Sequence, residues 1–111
     1  MPSVSQVDLG AVKYLSKIAT QCRSASRYPT QCVTSYYVNV KSDADDDYTA
    51  VCGTDSCPQL FTGNDPTRDE ETVATNEFDW PIEARFVRLN PQSWAHSISL
   101  RWEIYGCDSV N

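Results

Sequence analysis

The residues best suited to do chemistry stand close together: Arg23, Ser26, Arg27 and Tyr28 lie between Cys22 and Cys32 with no acidic residue among them. Two guanidinium forks suit phosphate, carboxylate or sugar hydroxyl groups, and the Tyr28 ring offers a face on which a sugar can stack. This is the chemistry of recognition. His96 is the single histidine, and its titration near neutral pH would make binding pH-dependent if it stands beside that loop. Catalysis would require a nucleophile with a base, or two carboxylates positioned in a cleft. Cysteines, His96 and many acids are present, but no local signature joins them, so an enzyme is not expected.

Five cysteines can form two bridges in several ways with one left over. Local spacing favours Cys22–Cys32, which bracket a polar loop between two strand candidates, and Cys52–Cys57, which bracket the turn-like Gly53-Thr54-Asp55-Ser56. Cys107 is then unpaired. Such bridges imply an oxidising compartment. A zinc site could draw on Cys22, Cys32, Cys52, Cys57 and His96, but no Cys-x-x-Cys pair is present, and no metal is expected. The Asp43-Ala44-Asp45-Asp46-Asp47-Tyr48 run has the acids of a calcium loop. It lacks glycine at the sixth position and has Thr54 where a bidentate Glu is needed, which leaves only weak calcium binding open. No other cofactor is expected, and no Asn-x-Ser/Thr acceptor for N-glycosylation occurs.

At 111 residues with 41% hydrophobic content, the chain fits one domain with a modest core that benefits from cross-links. The net charge of −6 argues against a nucleic-acid partner, whose phosphates demand clustered Lys and Arg. No apolar run is long enough to cross a bilayer as a helix, so no transmembrane segment is expected. Met1-Pro2-Ser3-Val4-Ser5-Gln6 lacks the basic start and apolar stretch of a secretory leader. The charge is lopsided, +4 through Lys41 and −10 from Ser42 onward. The acids crowd at Asp43–Asp47 and at Asp65, Asp69, Glu70 and Glu71, where solvated loops are the simplest reading.

Strand patterns must position these groups. Tyr36, Val38 and Val40 share one face of the run 33–40, and Ile98, Leu100, Trp102 and Ile104 alternate with Ser99, Arg101, Glu103 and Tyr105. Weaker candidates are 15–21, 49–52, 59–62, 72–78 and 84–89, each bounded by Gly, Pro, Asn or Asp. No segment of ten residues shows helical spacing. Short strands separated by turn residues indicate an all-β sandwich or barrel. A strand of about nine residues carries the chain roughly 30 Å, so segment 22–32 and the Asp43–Asp47 turn are expected at opposite ends. Trp94 is read as packing beneath an Asn90-Pro91-Gln92-Ser93 turn, and Trp102 as facing the core with Leu100.

Several motifs in order complete the reading: Gln6-Val7-Asp8-Leu9-Gly10, Ile18-Ala19-Thr20-Gln21, Val33-Thr34-Ser35-Tyr36, Phe61-Thr62-Gly63-Asn64-Asp65, Asn76-Glu77-Phe78, the run from Pro81 to Trp94, and the run from Ile98 to Cys107. With them the chain resembles the discoidin domains, also called coagulation factor V/VIII C-type domains. The resemblance implies an antiparallel β-sandwich of jelly-roll, galactose-binding-domain-like type. It places a partial domain at 1–107 and a tail at 108–111, lacking first strands that begin with a cysteine pairing with the one matching Cys107. Cys22 stands where the family commonly has glycine.

The resemblance further implies a noncatalytic, extracellular or cell-surface module. Its end loops bind sugars or anionic phospholipid head groups, and in some members protein partners, in the service of adhesion. The loop Arg23–Gln31 and the turn Gln92–Ser97 match parts of that ligand edge, which makes Arg23, Ser26, Arg27, Tyr28, Gln92 and His96 the candidate ligand-binding residues. The acidic total favours glycan over membrane. The alternative is a structural protein–protein interaction domain that docks to its neighbours through exposed edges.

Overall fold

The computed structural model describes residues 5–25, 28–65, 72–95 and 100–108. Six strands follow in chain order: β1 (Ser5–Ala25), β2 (Tyr28–Lys41), β3 (Thr49–Ala50), β4 (Phe61–Thr62), β5 (Val73–Ala95) and β6 (Leu100–Cys107). Among the described residues there is no helix. All pairings are antiparallel, in the order β3-β2-β5-β1-β6, with β4 added to β2. Strands β1, β2 and β5 each pair with the other two. The sheet therefore turns back round its core to form a β-sandwich.

The two strong strand patterns hold where the structure describes them; Ile98 and Ser99 of the second lie outside the described residues. Tyr36, Val38 and Val40 are buried together, and Trp102 and Ile104 pack on the same cluster from β6. Leu15, Ile18, Val33, Ala84, Val87 and Leu89 fill the space between them. Fully burying one large apolar side chain contributes about 1.5–3 kcal/mol. Phe61 stacks on Tyr36 with ring centroids 5.5 Å apart and meets Phe78 edge-on at 5.7 Å, so the short β4 anchors itself through one ring.

The weak patterns differ from expectation in two ways: 49–52 and 59–62 shrink to the two-residue strands β3 and β4, while bulges, which a period-two template cannot see, let the others run on into longer strands. Segment 15–21 is the middle of β1, whose register slips between Asp8, opposite Phe86, and Lys13, opposite Ala84. The extra residues contain Gly10, at φ 84°, a left-handed conformation that glycine adopts without strain. Asp8 Oδ1 accepts from Gly10 N at 2.8 Å. Segments 72–78 and 84–89 are one strand, β5, interrupted where Glu77 faces Lys17 and Ile82 faces Leu15. Pro81, which has no N–H for the ladder, sits in the unpaired stretch.

Asn90–Ser93 is likewise strand and not a turn. Asn90, Pro91 and Ser93 face Tyr37, Tyr36 and Ser35 of β2. Trp94 does not pack beneath it: the side chain is 42% exposed. Trp94 has the parity of exposed Gln92 and opposite to that of buried Val87, Leu89 and Pro91, so alternation along β5 aims its ring outward.

Candidate functional site

The site is built on the far ends of β1 and β2. The two strands pair as a hairpin, with Arg23 opposite Gln31 and Ala25 opposite Tyr28. The Cys22–Cys32 disulfide crosses its base with the Cα atoms 4.5 Å apart, and both cysteines are buried. A second bridge joins Cys52 to Cys57. The four cysteines named as possible zinc ligands are thus paired in two disulfides, and Cys107 is an exposed free thiol.

The hairpin base is also where β5 ends and β6 begins. Cys32 pairs with Ala95, and Cys22 pairs with Leu100. Two segments separated by some sixty positions of sequence therefore meet at one disulfide. Gln92 is the unpaired bulge residue between the Ser93–Ser35 and Pro91–Tyr36 pairs, and its side chain is exposed. Its Nε2 donates to Asn90 O at 3.4 Å. Arg23 and Tyr28 are placed by their backbone pairing. Ser26, Arg27 and His96 lie outside the described residues.

A buried polar brace supports this end. Asn64 is 5% exposed. Its Oδ1 accepts from Thr20 Oγ1 at 2.9 Å, its Nδ2 donates to Thr72 O at 3.0 Å, and its backbone N–H donates to Val33 O at 3.0 Å. The preceding Gly63 donates to Thr34 O at 2.8 Å. A Cβ at Gly63 would lie 2.2 Å from Val33 O, so the two backbones can approach only through glycine. Asn76 Nδ2 donates to the Tyr36 hydroxyl at 3.1 Å and to Thr62 O at 2.8 Å. Burial pushes the Tyr36 phenol up to about 12, against the smaller opposing effect of its hydrogen bonds with Asn76 and Thr20.

Sequence reasoning missed the outer surface beside the hairpin base. The hydroxyls of Thr34 and Ser35 each lie 2.5 Å from Ser93 Oγ, close to the exposed Trp94 in sequence. The signal was there in the Thr34-Ser35 and Gln92-Ser93-Trp94 runs, but their meeting on one outer surface comes from the pairing of β2 with β5. The brace was equally hidden, since an Asn after Gly reads as a turn residue.

The opposite end has different chemistry. Lys41 Nζ lies 4.7 Å from the Tyr48 ring centroid and 5.2 Å from that of Phe86, and Arg88 Cζ lies 3.9 Å from Tyr48. Arg85 lies 4.9 Å from Phe86 and grips Asp8 through Nε at 2.9 Å and Nη2 at 3.1 Å. The Arg85 guanidinium, and after it the Gly10 N–H, hold the Asp8 carboxyl below the usual carboxylate range. The Arg88 guanidinium that lies over the Tyr48 ring donates from Nη2 to Gln6 Oε1 at 3.2 Å, while its buried Nε has no hydrogen-bond partner. Three cations therefore stand beside the Asp43–Asp47 turn. Within that turn Asp43 accepts from Asp45 N and Asp46 N, each at 3.1 Å. Among the described residues no group of three His, Cys, Asp or Glu side chains comes together to hold a metal, and no helix is long and apolar enough to cross a membrane.

Comparison with known proteins gives one answer. The F5/8 type C domain matches residues 2–104. Neurexin-4 of Drosophila melanogaster is 37% identical over 105 residues, which are 95% of this chain and 8% of that protein. Neuropilin-1 of Gallus gallus is 38% identical over 103 residues, 92% of this chain and 11% of that protein. Discoidin II of Dictyostelium discoideum superposes with a TM-score of 0.78 at 27% identity, over 98% of this chain and 39% of that one. The chain spans about a tenth of the length of these two curated relatives.

Proposed function

Because this chain belongs to the F5/8 type C (discoidin) domain family, whose members are noncatalytic binding modules, we propose that it is an extracellular recognition domain. In this reading it binds glycan or anionic phospholipid head groups through the hairpin end of the sandwich and serves cell or matrix adhesion. The observation that carries the reading is the meeting of the two candidate segments at one disulfide, with Cys32 paired to Ala95 and Cys22 to Leu100. A ligand edge needs groups from several loops held by a rigid base. The two bridges support the extracellular assignment, since such cross-links persist in oxidising surroundings.

In the proposed site Arg23 and Arg27 hold anionic or hydroxyl groups of the ligand, and Tyr28 supplies a stacking face. Ser26 and Gln92 add hydrogen bonds, and His96 brings pH dependence. Glycan is favoured over membrane because the net charge of −6 opposes approach to an anionic surface outside the basic loop.

A glycan array run beside sedimentation with phosphatidylserine vesicles tests this. Binding to either that falls at least about tenfold in Arg23→Ala/Arg27→Ala supports the site, two charge-assisted contacts being worth that much. Undiminished binding in that variant refutes it. A second reading, a structural domain docking to protein neighbours, is favoured by the exposed Val7 and Val12 of β1 and by the place of β6 at the end of the sheet. Stable assembly with a protein neighbour, together with silence on array and vesicles, would select it.

A further inference from the structure

Trp80 is 46% exposed and stands in the stretch of β5 that leaves the ladder between Glu77 and Ile82. Two features fix the backbone that carries it. Pro81 restricts the chain on one side. On the other, Asp79 Oδ2 accepts from Thr54 N at 2.7 Å and from Thr54 Oγ1 at 3.0 Å, tying the bulge to the loop closed by Cys52–Cys57. The indole is thus held out toward solvent on a constrained backbone.

A groove lies on each side of it. One, of about 410 Å³, runs past Lys17, Glu77 and Asp79; the other, of about 350 Å³, runs over Val51 and Ile82 to Glu83. Both share Trp80 and Pro81 as a common wall. Lys17 is the only cation among the described residues lining either groove, and its ammonium lies 4.9 Å from the Tyr105 ring centroid. Three carboxylates therefore flank an exposed indole against one ammonium, that of Lys17, which stands opposite Glu77 in the β1–β5 ladder.

We propose that this face docks a basic segment of a protein partner, with an Arg or Lys side chain laid over Trp80 and its charged head between the carboxylates of Glu77, Asp79 and Glu83. An indole is the strongest of the aromatic faces for a cation. The apolar floor at Val51 and Ile82 suits the methylene stem of such a side chain. Three carboxylates would repel an anionic partner and gain nothing from an uncharged one. This surface is separate in residues and opposite in charge from the hairpin end, so it goes beyond the end-loop reading.

The test uses the 111-residue chain and a fluorescein-labelled acetyl-Arg-Ser-Arg-Ser-Arg-amide peptide followed by anisotropy. Saturable binding is expected, several-fold weaker at about 150 mM than at about 20 mM salt. It should weaken about fivefold in Trp80→Ala and about fivefold in Glu77→Gln/Glu83→Gln, with no change in Arg23→Ala/Arg27→Ala. Trp80→Leu, which keeps an apolar side chain but no ring, should behave as Trp80→Ala and stands in for it if that variant fails to fold. Absence of binding, equal binding of the matching Gln-Ser peptide, undiminished binding by the Trp80 variants, or loss of binding in the arginine variant would each overturn the proposal.

Discussion

The two ends of the sandwich are held by different physics. At the hairpin end a buried disulfide, a glycine that admits no side chain and an asparagine with three protein partners lock the backbone. At the acidic end partly exposed cations lie on rings, and one carboxylate meets one guanidinium at the surface. Buried hydrogen bonds fail expensively when one partner is removed, whereas exposed charge pairs fail gently. The end proposed to meet ligand is thus the end with the most rigid base, as a site needs if its contacts are not to be lost in ordering the loops.

Substitutions at the two ends put that contrast at risk. Asn64→Ala, which strips partners from Thr20 and from Thr72 O, should lower unfolding stability by about 3 kcal/mol in urea melts. The contrast collapses if the loss is no greater than that from Tyr48→Ala at the other end. Opening the hairpin with Cys22→Ala/Cys32→Ala should cost about 2.7 kcal/mol. The shorter Cys52–Cys57 loop should cost about 2 kcal/mol on the chain-entropy account, and a reversed order would mean that loop length does not decide.

Alkali should attack the brace next. Tyr36 is held in its neutral form by burial, so its contribution is fully present below about pH 10. It is lost as pH rises through the folded value of about 12, on the order of 2 kcal/mol. Melts at pH 8 and pH 11.5 should show this loss, and Tyr36→Phe should remove the dependence.

At the acidic end the effects are smaller. Tyr48→Ala removes the ring shared by Lys41 and Arg88 and should cost about 1 kcal/mol or less. The smallest effect is expected at Asp8, whose carboxyl is held low by Arg85 and Gly10. Its contribution is present above the unfolded value near 4 and lost as pH falls through the lower folded value. Asp8→Asn should make melts at pH 3 and pH 6 more alike than they are in the unsubstituted chain; an unchanged difference between them would remove Asp8 from the account.

Much of this was legible beforehand, and the reasons differ by residue. Tyr36, Val38 and Val40 announced their shared face because a strand repeats every two residues. The pairing of Cys22 with Cys32 followed from short spacing, and the order of motifs named the family. Gln92 was marked as a ligand-edge residue but placed in a turn, and Trp94 was assigned to packing. Both errors have one origin, the reading of Asn90–Ser93 as a turn: once it is strand, the alternation that buries Val87, Leu89 and Pro91 sets Gln92 and Trp94 on the outer face. Asn64 and Asn76 read as turn and strand residues, since nothing in their neighbours says they will be buried against Thr20 and Tyr36.

The chain by itself determined what depends on near neighbours: alternation along strands, short cysteine loops, and a charge that runs from basic to acidic. Three-dimensional pairing alone decided what depends on residues distant in sequence. It brought the ends of β5 and β6 to the Cys22–Cys32 bridge, set Lys41, Arg85 and Arg88 beside the acidic turn, and lifted Trp80 out of the ladder. The physical reason is that ladder hydrogen bonds and register are properties of two strands at once, so no single segment records where its partner slips by a residue.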